Sequence, residues 1–312
     1  MSICKPLDDF IVYLDTIKGK SPNTVSEYTY DLKLFLQFQK KRFFNLKDDI
    51  TNIDISDLDI DTVKKIKLHD IFAFLNYLDK ERHNSPRTRA RKVASIRSFF
   101  KYHVDVVESF ENNPCKNLEN PKFRKEHPIY LELNEAKKLL DTVHQSESYR
   151  DIAIFTIFLN CGIRLGEIVS IDINKIQSDH LIVLGKGNKE RVIYINSICK
   201  EAIENYLNNV RLQKSVDSPA LFLSKRNNRI SRRAIQHLVQ KYIKLAGLPP
   251  EYTTHKLRHT AATLMYKYGS VDIRTLQEIL GHVSVATTEI YTHLDNEQIR
   301  SAMNKNPLNN KN

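Results

Sequence analysis

The chain has 312 residues, 41% of them hydrophobic and 27% charged, with a formal charge of +11 and a pI near 9.3. That composition is the one expected of a soluble globular protein of about two domains, and no apolar run approaches the roughly 20 residues a membrane helix needs. The four cysteines, Cys4, Cys115, Cys161 and Cys199, form no C-x-x-C and are expected as reduced thiols, which argues against a disulfide framework or a cysteine zinc site.

At the N-terminus Asp8 and Asp9 precede any apolar stretch of signal-peptide length, so no secretion signal is read and the expected location is the cytoplasm. Leu7 to Ile17 and Leu68 to Leu78 are amphipathic. Between them, Ser21-Pro22-Asn23-Thr24 supplies a cap and a first-turn proline, and Val25, Tyr28, Leu32, Phe35 and Leu36 follow at helical spacing. A helix is predicted from about Pro22 to Lys40. The acidic stretch Asp54 to Asp61 reads as a connection or short helix. Ser85-Pro86-Arg87-Thr88 repeats the earlier opening, with Ala90, Val93, Ile96 and Phe100 on one face and Arg87, Arg91, Ser95 and Ser98 on the other. Seven Lys or Arg and no acid lie between Arg82 and Lys101. The first hundred or so residues therefore read as a small helical bundle with a basic surface.

From Glu111 to Pro128 the chain is polar, holds three prolines and lacks periodicity, and the predicted layout is a helical domain over 1–112, a linker over 113–128 and a second domain over 129–312. That second domain is predicted to start with helices Leu133 to Val143 and Arg150 to Cys161. A β-hairpin follows, His180 to Leu184 and Val192 to Ile195, around Gly185-Lys186-Gly187-Asn188-Lys189-Glu190. Helical patterns dominate after Cys199. A second acid-free segment, Lys225 to Lys244, holds seven more basic residues. From these two segments Arg87, Arg91, Lys225, Arg226, Arg229, Arg232 and Arg233 are taken as candidate phosphate contacts, placed to grip a duplex from two sides.

Four short segments concentrate chemistry: Cys161-Gly162-Ile163-Arg164-Leu165-Gly166-Glu167, the hairpin Gly185-Lys186-Gly187, His255-Lys256-Leu257-Arg258-His259, and Leu280-Gly281-His282 with Thr287 to His293 around Tyr291. On a helix His255 and Arg258, at i and i+3, share a face. Each residue has a bland alternative. Arg164 can pair with Glu167, Lys186 and Lys189 can be turn lysines, His282 can cap a helix, and Tyr291 is one of fourteen tyrosines. His255 and His259 at i and i+4 fit a zinc pair, but Lys256 stands where H-E-x-x-H has its acid and no third ligand is evident.

Taken in order, Arg, Lys, His-x-x-Arg, His and Tyr resemble the catalytic set of the tyrosine recombinase and integrase family, most closely its Xer-type members, over nearly the whole chain. Only the Asp54 to Asp61 region looks longer than a minimal Xer-type protein needs. The resemblance implies an N-terminal SAM-like core-binding bundle and a mostly helical catalytic domain with a small β-sheet. It implies a catalytic set of Arg164, Lys186, His255, Arg258, His282 and Tyr291. The two guanidiniums would bind the phosphate oxygens, Tyr291 attack phosphorus, His255 take its proton, His282 donate to the phosphate and Lys186 protonate the leaving 5′ oxygen.

No cofactor, metal or ATP is implied, and no G-x-x-x-x-G-K-[ST] loop occurs. The partners implied are double-stranded DNA with an inverted-repeat site and a homo- or hetero-tetramer, and the resemblance allows a DNA translocase. Ile299 and Met303 in the tail from Asn296 to Pro307 share a helical face, which relatives dock on a neighbouring subunit. The expected task is chromosome or plasmid dimer resolution. Rival readings are a phage or conjugative-element integrase, a type IB topoisomerase-like enzyme, and a catalytically silent DNA-binding protein.

Overall fold

The computed structural model describes residues 3–121, 129–185, 190–214, 218–269 and 271–281, and the chain divides into two units, Met1–Lys125 and Glu126–Asn312. The first unit is helical: α1 (Lys5–Val12) running into a π-helical turn, α2 (Pro22–Phe43), α3 (Ile60–Lys64), α4 (Leu68–Lys80) and α5 (Pro86–Asp105). Helices α2 and α5 open alike because the sequence does. Ser21 Oγ accepts from the Thr24 amide at 3.3 Å and Ser85 Oγ from the Thr88 amide at 3.2 Å, while Pro22 and Pro86 stand where no amide donor is needed. Phe10, Phe35, Phe74, Phe99 and Phe100 meet in the core, with Phe35 edge-on to Phe74 at 5.2 Å and Phe10 edge-on to Phe99 at 5.6 Å.

The polar face read onto α5 is corrected by the packing of α2. Arg87 is exposed, but Ser95 is buried. Arg91 is tied to Asp31 at 2.6 Å and Glu27 at 2.7 Å, and buried Lys92 meets the buried Asp31 at 2.6 Å. Arg91 and Lys92 thus share a carboxylate withdrawn from water, and removing it leaves buried Lys92 uncompensated, at a cost of about 3–5 kcal/mol. Asp31→Ala should lower the unfolding free energy in urea by that amount; a change below about 1 kcal/mol would show the pair to be dispensable.

Cys115 and Leu118, inside the stretch expected to be linker, are buried in this first core. They are held there by Asn113 Oδ1, which accepts from the Cys115 amide at 2.8 Å, and by Arg97, which donates to the Leu118 carbonyl and to Asn120. Residues 122–128 lie outside the described residues.

The second unit contains α6 (Leu133–His144), α7 (Tyr149–Cys161), α8 (Leu165–Ser170), an antiparallel pair β1 (His180–Leu184) and β2 (Glu190–Tyr194), α9 (Ser197–Tyr206), α10 (Arg232–Leu245), α11 (Thr254–Tyr268) and α12 (Ile273–Leu280). Helix α7 is apolar nearly all round and packs against α6, α9 and α11. It stops at Gly162, whose φ of +58° suits glycine and where a Cβ would lie 2.9 Å from Leu280 Cδ2. In the hairpin Leu181 opposes Ile193 and Val183 opposes Arg191. The mainly helical architecture with one small sheet agrees with expectation. All four cysteines are free and buried, with Cys161 and Cys199 Sγ atoms 3.7 Å apart. No helix among the described residues is long and apolar enough to cross a membrane.

Candidate active site

The left-handed cap at Gly162 turns the chain so that Arg164 becomes the N-cap of α8, where Glu167 accepts from the Arg164 amide at 2.8 Å. The same carboxylate takes a second bond from Arg164 Nη1 at 2.8 Å. Arg258, one turn into α11 and buried, donates Nη1 to the Gly162 carbonyl at 2.6 Å and Nη2 to the Leu280 carbonyl at 2.5 Å. Its Nη1 stands 4.0 Å from Glu167. Arg164 Nη2 donates to the next carbonyl, that of Gly281, at 2.6 Å. Two guanidiniums from segments 94 residues apart in number thus reach adjacent carbonyls at the end of α12, immediately before His282.

A third arginine completes the arrangement. Arg191, on the inward face of β2, grips Glu167 with Nε at 3.0 Å and Nη2 at 2.9 Å, and its Nη1 donates to the Ile279 carbonyl at 3.0 Å. Burial pushes the Glu167 carboxyl up, but the hydrogen bonds and charge of Arg191 and then Arg164 outweigh it and hold the group below its ordinary value of 4.5. A depressed folded value means that Glu167 contributes stability in full above the unfolded value, lost as pH falls through the folded one. Glu167→Gln should therefore flatten the acid-side decline of unfolding free energy below about pH 4.3. An unchanged slope would mean that Glu167 is protonated alike in both states.

His255 is exposed on the first turn of α11, its Nε2 2.9 Å from His259 Nε2 and the rings edge-on at 4.3 Å. A hydrogen bond between them needs one ring nitrogen to donate and the other to accept. No group of three His, Cys, Asp or Glu placed to hold a metal occurs among the described residues. Lys186, His282, Tyr291 and the tail with Ile299 and Met303 lie outside the described residues.

The basic candidates separate. Lys225 and Arg226 are exposed on the tight turn between Ser224 and Asn228. Arg232 and Arg233 are exposed in the first turn of α10, the Arg232 guanidinium 3.0 Å from where a Cβ on Gly166 would stand. Arg229 is different from the expectation: Nη2 binds Asp172 at 2.5 Å and Nη1 the Val169 carbonyl at 2.9 Å, making it an internal staple.

The phage integrase family model matches residues 130–298, and the N-terminal SAM-like domain of phage integrases matches residues 7–105. The tyrosine recombinase XerC of Caldanaerobacter subterraneus subsp. tengcongensis is 52% identical over 97% of this chain and 86% of that protein. The chain belongs to the phage integrase family of tyrosine recombinases. It is of the Xer type. The crystal structure of XerA recombinase is similar to this recombinase, at 29% identity, 96% coverage of this chain, 97% of that one and a TM-score of 0.52. XerH bound to palindromic difH substrate in a post-cleavage complex shares the fold, at 21% identity, 96% and 94% coverage and a TM-score of 0.69.

What sequence reasoning left unassigned in this recombinase is Arg191. A signal was available. Strand alternation sets Arg191 in phase with Ile193 on the buried face, where a charge needs a partner.

Proposed function

We propose that this recombinase cleaves and rejoins duplex DNA at an inverted-repeat site through a 3′-phosphotyrosine bond to Tyr291, acting in Xer-type chromosome or plasmid dimer resolution in the cytoplasm. The observation that carries the reading is the convergence of Arg164 and Arg258 on consecutive carbonyls at one end of α12. Carbonyl oxygens are the acceptors that a phosphate's oxygens would replace or join, since each guanidinium has five donors. Positive charge held beside a buried carboxylate needs no reorganisation as the phosphorus gains a fifth ligand.

In the proposed step Tyr291 Oη bonds to phosphorus as the bond to the 5′ oxygen breaks. His255 takes the phenolic proton, Lys186 supplies one to the leaving oxygen, and His282 donates to a non-bridging oxygen. Rejoining is the reverse, with the 5′ hydroxyl as nucleophile, so the bond energy is retained in the phosphotyrosine and no nucleotide is consumed. Exchange between two duplexes requires four such cleavages, hence a homo- or hetero-tetramer on two sites. The first unit, including residues 113–121, is assigned core binding and the second catalysis. Arg87, Lys225, Arg226, Arg232 and Arg233 are assigned to phosphates; Arg91 and Arg229 are left to their ion pairs.

A plasmid carrying two copies of a candidate inverted repeat tests the reading. In EDTA without nucleotide, a detergent-resistant protein–DNA adduct and two resolved circles are expected. Relaxation without resolution would favour a type IB topoisomerase-like enzyme, and binding without adduct a silent DNA-binding protein. Arg232→Glu with Arg233→Glu should weaken DNA binding and reduce the slope of log affinity against log salt by about 1–2, as each phosphate contact contributes about 0.9. An unchanged slope would remove α10 from the interface.

A further inference from the structure

We propose that Arg191 is a positioning residue for DNA cleavage: by neutralising buried Glu167 it leaves the charges of Arg164 and Arg258 available to the scissile phosphate. The inference rests on the assignment of those two arginines to the phosphate. Glu167 lies within reach of three guanidiniums, and only Arg191 meets it with two parallel bonds. A forked pair is the stronger geometry. Arg191 therefore carries the counter-charge, while Arg164 gives Glu167 one terminal nitrogen and Arg258 stands 4.0 Å away.

Three arginines around one carboxylate leave two positive charges in excess. Without Arg191 the carboxylate would draw on Arg164, and the phosphate would lose that guanidinium as a free donor. Arg191 also fixes where these groups sit. Its guanidinium is bracketed by Gly281, where a Cβ would lie 3.1 Å from Nη1, and it is bonded to the Ile279 carbonyl. Ile279, Leu280 and Gly281 thus accept from Arg191, Arg258 and Arg164 in turn. Strand β2 pairs with β1, so Arg191 ties this sheet to the end of α12. With its side chain 17% exposed, Arg191 acts through Glu167 and the α12 carbonyls.

The rate of covalent adduct formation at saturating protein, read beside the DNA dissociation constant, tests the proposal. Arg191→Gln should slow adduct formation about 10- to 100-fold, because the unneutralised Glu167 carboxylate then competes with the phosphate for Arg164, up to roughly the cost of losing one charged donor. Affinity for DNA should stay within about threefold. In a Glu167→Gln background there is no carboxylate to neutralise, so adding Arg191→Gln should change the rate by no more than about threefold. A rate for Arg191→Gln within threefold of wild type, or a tenfold further loss in the Glu167→Gln background, would overturn the proposal. Should Arg191→Gln alone fail to fold, the comparison within the Glu167→Gln background decides. Arg164→Ala separates the two levels of inference. Wild-type cleavage by Arg164→Ala would remove the phosphate assignment whatever Arg191 does, whereas its loss together with normal cleavage by Arg191→Gln would remove the proposal alone.

Discussion

Tyr291→Phe should form no covalent adduct on any DNA, whereas Lys186→Ala should cleave a substrate with sulfur at the 5′ bridging position far better than ordinary DNA. The two residues fail differently because a nucleophile is always needed, while a general acid matters only when the leaving atom needs a proton. An alkoxide leaves poorly and a thiolate leaves well. General acid catalysis contributes about 10²–10⁴-fold, so Lys186→Ala should lose that factor on the oxygen substrate and little on the sulfur one. Phenylalanine keeps the ring and its packing, which attributes the lost adduct to the hydroxyl. Gel-shift binding should persist in both proteins. Adduct formation by Tyr291→Phe would displace the nucleophile assignment. Absence of sulfur rescue would make Lys186 a phosphate contact and Lys189 the next residue to test.

The parts of the fold legible in the sequence are those whose cause is local. Ser21-Pro22 and Ser85-Pro86 carry the chemistry of a helix start within four residues, and both helices begin there. The hairpin follows from the short apolar, partly β-branched run His180 to Leu184 and the turn after it, and β1 has those bounds. Buried polar partners are not local. Asp31 and Lys92 lie 61 positions apart and each looks like a solvated helix charge until α2 and α5 are packed together. For the same reason a run of basic residues reveals charge but not which carboxylate faces it, as with Asp31 against Arg91 and Asp172 against Arg229. Packing likewise explains the linker boundary, because Cys115 and Leu118 have no periodicity of their own and Leu118 is held by Arg97 from a helix already finished.

The candidate site divides along the same line. Arg164 and Arg258 were legible through the order of motifs, which preserves chemistry irrespective of distance in the chain. Glu167 was legible only as a neighbour of Arg164. Its role at the meeting point of three arginines requires β2, α8, α11 and α12 to be brought together. The i, i+3 spacing of His255 and Arg258 puts them one turn apart on α11, yet one is exposed and the other buried. Burial makes Arg258 a staple as well as a charge.

Arg258→Ala should therefore fail twice, in stability and in cleavage, and the two losses can be separated. Truncation removes both donors to the Gly162 and Leu280 carbonyls, and orphaned buried groups cost about 1–3 kcal/mol each. Urea unfolding should report that loss directly. Removing a charged donor to the transition state should also slow adduct formation by about 10²–10³-fold. Arg258→Lys distinguishes the two effects, since an ammonium keeps the charge and can reach one carbonyl but has no planar fork. It should recover part of the stability while remaining far below wild type in cleavage, because a fork that holds Gly162 and Leu280 also fixes the plane in which its remaining donors meet the phosphate. Cleavage by Arg258→Lys that recovers in step with its stability would show that Arg258 serves the fold alone. Strong DNA binding by a stable but inactive Arg258→Lys is the expected result, as the duplex is held by many phosphate contacts and only the transition state depends on this one.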